Sequence, residues 1–216
     1  MGLARTAVRL RCEQVHPVEL SDQLMIQYRQ PRMRVSGGKA RGIQLTVPRA
    51  RSIRPTTNLA KQAIFSMLEN TATSWHRVLD LYAGSGALGI EALSRKAEWA
   101  DFVDQRKKCC DIIKLNLEKV GFLHQAHVYC CSVNKALAFL TDNYDIVFVD
   151  PPYSDPSTST LLSILANSET VGAGSTIVAC HASRFPLNSE YDGMHLVRQH
   201  HSGDTSISIY QRGAKL

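Results

Sequence analysis

The chain has 216 residues, 44% hydrophobic and 20% charged, with six cysteines and a formal net charge of +6. That length supports one well-buried domain with a small attachment. Its apolar runs fall far short of the roughly 20 residues a membrane span needs, and Glu13, Gln14, His16 and Glu19 interrupt any leader-like stretch. The cysteines (Cys12, the pairs Cys109-Cys110 and Cys130-Cys131, and Cys180) lack zinc-site spacing, so reduced thiols in a metal-free, cytoplasmic, monomeric protein are expected.

The charge is unevenly spread. Residues 1–61 carry 12 Lys/Arg against 3 Asp/Glu, a balance of +9; the rest carry 13 against 16, a balance of −3. Such a segment suits sequence-independent attraction to phosphates, with a solvated basic tail as the plainer reading.

Residues 1–32 show no clean period and read as a poorly ordered extension. Arg34–Val47 reads as two short strands around a glycine turn, a basic β-hairpin. Pro48 and Pro55 bound the next loop, and Thr57 is placed to cap a helix in which Ala60, Ala63, Ile64 and Met67 recur at helical spacing. Residues 33–74 are therefore taken as a basic β-hairpin and helix attached to the main domain, 75–216.

From Trp75 onward short apolar runs alternate with helical patterns. Strands are predicted at Val78–Tyr82, Trp99–Val103, His127–Cys131, Tyr144–Val149 and Ser175–Cys180. Helices are predicted at Ala87–Ser94, from about Arg106 to a stop at Gly121, at Ser132–Leu140 and at Ser157–Ala166. Two further strands, His195–His200 and Thr205–Gln211, flank a Ser202-Gly203-Asp204 turn and read as a closing hairpin. Alternating β and α elements imply a mostly parallel sheet covered on both faces.

Ligands of such a sheet bind beyond the carboxyl ends of its strands, near the switch in strand order. Gly84-Ser85-Gly86 falls there, at the end of the first core strand. Gly84-x-Gly86-x-x-Gly89 with Asp104 twenty residues on also fits a dinucleotide site, so nicotinamide binding is the competing reading. Asp80, four residues before Gly84 on the strand, favours S-adenosylmethionine: a carboxylate there organises a cationic methionine group and would be unwelcome beside a pyrophosphate. Asp104 can hold ribose hydroxyls, cap the next helix, or both.

The run Ile146–Val149 ends in Asp150-Pro151-Pro152-Tyr153. An exocyclic amine on a purine is a poor nucleophile because its lone pair is delocalised. The Asp150 carboxylate and the Pro151 carbonyl can accept its two hydrogens and aim the lone pair, the prolines fix the cup, and Tyr153 offers a stacking ring. Such a site works mainly by placement.

Arg34–Gly42, Arg54-Pro55-Thr56-Thr57, Asp80–Glu91 with Ala92-Leu93-Ser94-Arg95, Asp150–Tyr153 and Gly203-Asp204-Thr205, in this order, resemble the RsmD-type bacterial methyltransferases over about residues 33–212. The resemblance implies an α/β, Rossmann-like class I S-adenosylmethionine-dependent methyltransferase fold: a mostly parallel seven-strand sheet with a C-terminal antiparallel hairpin, plus a small N-terminal β-hairpin. It implies methyl transfer to the exocyclic N2 amine of a guanine in 16S rRNA, within a small ribosomal subunit or an assembly intermediate. Asp80, Tyr82, Ala83, Gly84, Ser85, Gly86, Asp104, Gln105 and Ser132 are the expected cofactor residues, and Asp150, Pro151, Pro152 and Tyr153 the expected reacting end. Lys39, Arg41, Arg49, Arg51, Arg54 and Thr56 are the expected RNA contacts, with His200 and His201 read as surface strand residues. The chain departs from the family pattern at Lys61-Gln62, where Arg-Glu is usual. It departs again at Ser132, where an acid is usual, and at Cys180-His181, where a glutamate commonly ends the strand. An adenine-N6 methyltransferase of DNA, a glutamine methyltransferase and a non-catalytic RNA-binding module are the competing functions.

Overall fold

A computed structural model describes residues 33–48, 58–70, 74–152 and 157–213. Five parallel strands form its centre: β3 (Arg77–Leu81), β4 (Trp99–Asp104), β5 (Ala126–Cys130), β6 (Ile146–Val149) and β7 (Thr176–Ala182). Three antiparallel strands continue it: β8 (Glu190–Tyr191), β9 (Met194–Ser202) and β10 (Thr205–Arg212). The order across the sheet is β5-β4-β3-β6-β7-β10-β9-β8. The two-residue β8 makes eight strands where seven are expected, because a pair of residues has no period to read. The chain leaves β3 toward β4 on one side and returns through β6 on the other, so the switch in strand order lies between β3 and β6.

Helices cover both faces. α1 (Asn58–Glu69), α2 (Ala87–Arg95) and α3 (Lys107–Val120) pack on one, and α4 (Val133–Leu137) and α5 (Thr158–Ala166) on the other. Central strand residues alternate between these two cores: Val78, Phe102, Ile146, Phe148 and Val178 on the first, Leu79, Leu81, Val103, Val147 and Ala179 on the second. α3 ends where expected, at Gly121, whose left-handed backbone (φ 78°) lets its N–H reach the last carbonyls.

A small antiparallel pair, β1 (Met33–Arg34) and β2 (Gln44–Leu45), flanks the expected glycine turn. It is not loosely attached. Met33, Val35, Ala40, Leu45 and Val47 join the same apolar core as Phe102 and Phe148. The turn is drawn onto the C-terminal half of α2 by polar contacts. The fully buried Glu91 accepts hydrogen bonds from the Ser36 N–H, the Ser36 hydroxyl and the Gly37 N–H, each at 2.8 Å. Ser94 adds two more, accepting from the Ala40 N–H and donating to the Gly37 carbonyl. Gly38 (φ 74°) is obligatory: a Cβ there would stand 1.8 Å from the Ser94 carbonyl oxygen.

Glu91 also meets the ammonium of Lys61, which donates to the Arg34 carbonyl as well, and Arg95 closes the cluster through its Nε at 3.0 Å. Burial dominates Lys61 and lowers its pKa, while burial raises Glu91 less than its Lys61 and Ser36 hydrogen bonds lower it. The pair is ionic and fully enclosed. α1 buries Lys61, Ile64, Phe65 and Leu68; of the expected stripe Ile64 is buried, while Ala60, Ala63 and Met67 are half-buried flanks.

Removing one partner of an enclosed ion pair leaves a bare buried charge, at a cost of about 3–5 kcal/mol. Glu91→Ala is expected to destabilise by that amount in urea unfolding, and the apolar double replacement Lys61→Met/Glu91→Leu to recover most of it. A loss under 1 kcal/mol for Glu91→Ala, against that ~3–5 kcal/mol, would rule this role out.

Candidate active site

Three carboxylates gather at the carboxyl ends of β3, β4 and β6. Asp80 is 1% exposed, near the end of β3. α2 starts from Gly86, which has no side chain to cap it, and the Asp80 Oδ2 instead accepts the N–H of Gly89 at 2.9 Å. The strand thus supplies the cap that the loop lacks. Gly89 permits the close helix–sheet approach, since a Cβ there would stand 2.3 Å from the Phe102 ring. Burial, then the charges of Asp150 and Asp104, hold the Asp80 carboxyl well above its ordinary value of 3.8, while the Gly89 bond works the other way. A buried carboxyl raised by neighbouring anions is a natural receptor for a cation.

The connecting loop is strained. Tyr82 is a non-glycine residue at φ 59°, followed by Gly84 at 57° and Gly86 at 75°. The Ala83 N–H donates to the Val103 carbonyl at 3.0 Å, and the Gly84 N–H to the Asp104 Oδ2 at 2.9 Å. Asp104 does not cap α3, whose first flanking residue is Arg106. It instead accepts from the Arg106 N–H and holds the Arg106 guanidinium through both oxygens at 2.9–3.0 Å. The bond to Asp104 raises the Arg106 pKa. Gln105 is exposed beside it.

Ser132 is exposed, and its hydroxyl accepts the Lys135 N–H at 3.4 Å at the start of α4. Two thiols lie near: the Cys110 sulfur donates to the Asp104 carbonyl at 3.2 Å, and Cys130, which is exposed, is the ladder partner of Asp104. Burial raises the Cys109 thiol to about 11 and the Cys110 thiol further. These are packing thiols.

The third acid, Asp150, follows β6 directly, and its N–H approaches the Leu81 carbonyl at 3.5 Å. The acid-Pro-Pro turn and the glycine loop are therefore neighbours across the strand switch. Pro151 is buried and Pro152 exposed; Tyr153 is outside the described residues. Cys180 sits close to both Asp150 and Asp80, and its burial, then their charges, push its thiol well up. His181 braces the following turn, with Nε2 3.0 Å from the Ser208 hydroxyl and Nδ1 3.0 Å from the Phe185 carbonyl. His200 and His201 are exposed strand residues, as expected.

The basic candidates divide. Lys39 and Arg41 are exposed on the turn held by Ser94, at the C-terminal end of α2. A nine-residue helix rises about 1.5 Å per residue, so they stand roughly 12 Å down the helix from the glycine loop. Arg49, Arg51, Arg54 and Thr56 are outside the described residues. Their segment follows Pro48, two residues after Thr46, and Thr46 is anchored at the glycine loop by a residue that the motifs do not flag. Asn116, fully buried on α3, accepts from the Thr46 N–H at 2.8 Å and donates to the Thr46 and Ser85 carbonyls at 2.8 and 2.9 Å. The only signal for it in the sequence is a polar residue inside an apolar helix face.

A glycine loop at the strand switch, acids ending β3 and β4, and an acid-Pro-Pro turn on the adjoining strand define a Rossmann-like class I S-adenosylmethionine-dependent methyltransferase fold. A putative methyltransferase structure from Escherichia coli shares it at a TM-score of 0.73, with 28% identity, over 85% of this chain and 99% of its own. Residues 33–211 match the model of the family described as conserved hypothetical protein 95. A putative rRNA methyltransferase of Bacillus subtilis (strain 168) is 34% identical over 83% of this chain and 99% of its own. The ribosomal RNA small subunit methyltransferase D of Escherichia coli (strain K12) is 30% identical over 85% and 91%. The chain belongs to this family, the RsmD-type methyltransferases.

Because its folded pKa is raised, the neutral Asp80 carboxyl contributes stability that is fully present below 3.8 and lost as pH rises through the folded value. Asp80→Asn, which keeps an acceptor for Gly89, is expected to melt at a higher temperature than the wild type at neutral pH. The gain should fade in acid, and affinity for S-adenosylhomocysteine at neutral pH should fall about tenfold or more. An unchanged affinity in titration calorimetry would remove Asp80 from the cofactor site.

Proposed function

We propose that the protein transfers the methyl group of S-adenosylmethionine to the N2 amine of a guanine in 16S rRNA, presented by a small ribosomal subunit or an assembly intermediate. The observation that carries this reading is the adjacency of the glycine loop and the Asp150-Pro151-Pro152 turn, tied through Asp150 and Leu81. The family's rRNA-modifying relatives supply the choice of RNA.

Within this reading Asp80 offers its carboxylate to the cationic methionine end, and Asp104 the ribose hydroxyls, with Tyr82–Gly86 as the backbone cradle. Gln105 and Ser132 border the adenosine. The cofactor supplies an electrophilic methyl on a sulfonium centre. Asp150 and the Pro151 carbonyl accept the two amine hydrogens, turning the nitrogen lone pair toward that methyl, and Tyr153 stacks on the base. As the new N–C bond forms, the methyl carbon–sulfur bond would break with its electron pair leaving on sulfur as a neutral thioether, and the nitrogen would gain the positive charge. It then sheds a proton, for which Asp150 is the base at hand. No covalent enzyme intermediate is needed. Arg49, Arg51 and Arg54, with Thr56, hold phosphates of a splayed loop near the cup, and Lys39 and Arg41 engage the RNA farther out.

Isotope-labelled methyl transfer to small-subunit particles lacking endogenous methylation, followed by nucleoside analysis, is expected to yield N2-methylguanine. N6-methyladenine as the only product would overturn the guanine assignment. Asp150→Ala is expected to lower the single-turnover rate about 10²–10⁴-fold with S-adenosylhomocysteine binding largely kept.

A further inference from the structure

Asp104 has the ribose hydroxyls to hold in the reading above, yet every place on its carboxylate is taken. An ionised carboxylate has two oxygens and about four acceptor sites. Oδ1 accepts the Arg106 N–H at 2.9 Å and the Arg106 Nε at 3.0 Å. Oδ2 accepts the Gly84 N–H and the Arg106 Nη2, both at 2.9 Å. A pair of hydroxyls cannot be added to such a set. Two of the donors must first leave.

The donors are not equally fixed. The Gly84 N–H lies in a loop tied down on both sides, by the Ala83 N–H to the Val103 carbonyl at 3.0 Å and the Gly86 N–H to the Ala83 carbonyl at 2.7 Å. The Arg106 backbone opens α3, and its carbonyl accepts the Cys109 N–H at 2.9 Å. The guanidinium ends a flexible arm, its side chain 40% exposed above a carboxylate that is 2% exposed. Among the described residues Asp104 is its only ion-pair partner. Its Nε and Nη2 form a fork that gives one N–H to each oxygen. The vicinal hydroxyls of a ribose offer the same number of donors, side by side and without charge.

We propose that Arg106 is a placeholder for the ribose, its guanidinium occupying the two Asp104 positions that the hydroxyls of S-adenosylmethionine take when it swings aside. The inference rests on the assignment of the ribose to Asp104. A short swing toward solvent leaves the guanidinium in range as a counter-charge, so the exchange trades hydrogen bonds and not charge. Arg106 thereby becomes a determinant of cofactor affinity, and one that lowers it. A site held closed about nine-tenths of the time binds with about tenfold weaker apparent affinity.

The test is titration calorimetry with S-adenosylhomocysteine and with its 2′,3′-dideoxy analogue. Arg106→Ala is expected to bind S-adenosylhomocysteine about tenfold more tightly than the wild type. It should bind the dideoxy analogue no more tightly, since that ligand has no hydroxyls to compete with the guanidinium. Arg106→Gln, which keeps most of the arm and loses the ionic fork, should repeat the pattern and serves if the alanine variant melts early. Unchanged or weaker binding of S-adenosylhomocysteine by both variants overturns the inference. So does an equal gain for the dideoxy analogue, the result a merely structural or blocking role would give. The double variant Arg106→Ala/Asp104→Ala, which leaves no bare buried charge, separates the two levels. It should no longer prefer S-adenosylhomocysteine to the analogue. A preference that persists there removes the ribose from Asp104 and takes the inference with it, whereas a preference lost there, with no gain in the Arg106 variants, defeats the inference alone.

Discussion

The arrangement depends on one enclosed carboxylate. Glu91, on a helix that also carries the donor loop at its start, gathers Lys61 from α1, Ser36 and Gly37 from the hairpin and Arg95 from its own last turn. These contacts add polar anchors to segments that also bury Ile64, Phe65 and Leu68 of α1 and Met33, Val35 and Leu45 of the hairpin. β1 and β2 have two residues each, and an isolated hairpin of that size is not stable in water. Enclosing an ion pair is a poor way to gain stability, because desolvation consumes much of the attraction. What it does provide is direction: a carboxylate accepting several hydrogen bonds fits one arrangement of donors and penalises the others.

That direction has a functional result. With the turn fixed at the far end of α2, the hairpin runs along the helix and delivers Thr46 to the glycine loop, where Asn116 receives it. Pro48, the last described residue before the basic segment 49–57, lies two residues beyond that anchor. In the proposed reading the three acids would face the cationic cofactor.

Much of the sheet was legible because a buried parallel strand must be an apolar run and its helices must show a 3.6-residue stripe. The spans from Val78 to Cys180 follow those two rules, and each observed end falls within a few residues of its expected place. The site was legible where the chemistry needs a particular backbone, as in Gly84, Gly86 and the two prolines after Asp150. It was illegible where a polar residue had gone inside with a partner distant in sequence. Lys61 reads as a surface residue until Glu91 is placed beside it, which is why the buried stripe of α1 was expected one position away. Asn116 reads as a flaw in an apolar face until Thr46 and Ser85 are placed beside it. The spread of Lys39 and Arg41 away from the loop was hidden for the same reason: composition gives the sign of a charge and not the helix end on which it stands.

Asp104 and Asp80 show how one local motif can be put to two electrostatic uses. Asp104 is 2% exposed but meets the Gly84 N–H and the Arg106 guanidinium, so its charge is answered within the protein. Asp80, equally enclosed, has only the Gly89 N–H for an identified partner and the charges of Asp150 and Asp104 against it. Hydroxyls of a ribose can share a carboxylate that is already balanced, since they bring hydrogens and no charge. A carboxyl held above its ordinary range by burial and like charges gains most from a ligand that brings positive charge. The division of the cofactor proposed for the two acids thus rests on the company each keeps, Arg106 standing beside one and no cation among the described residues standing beside the other.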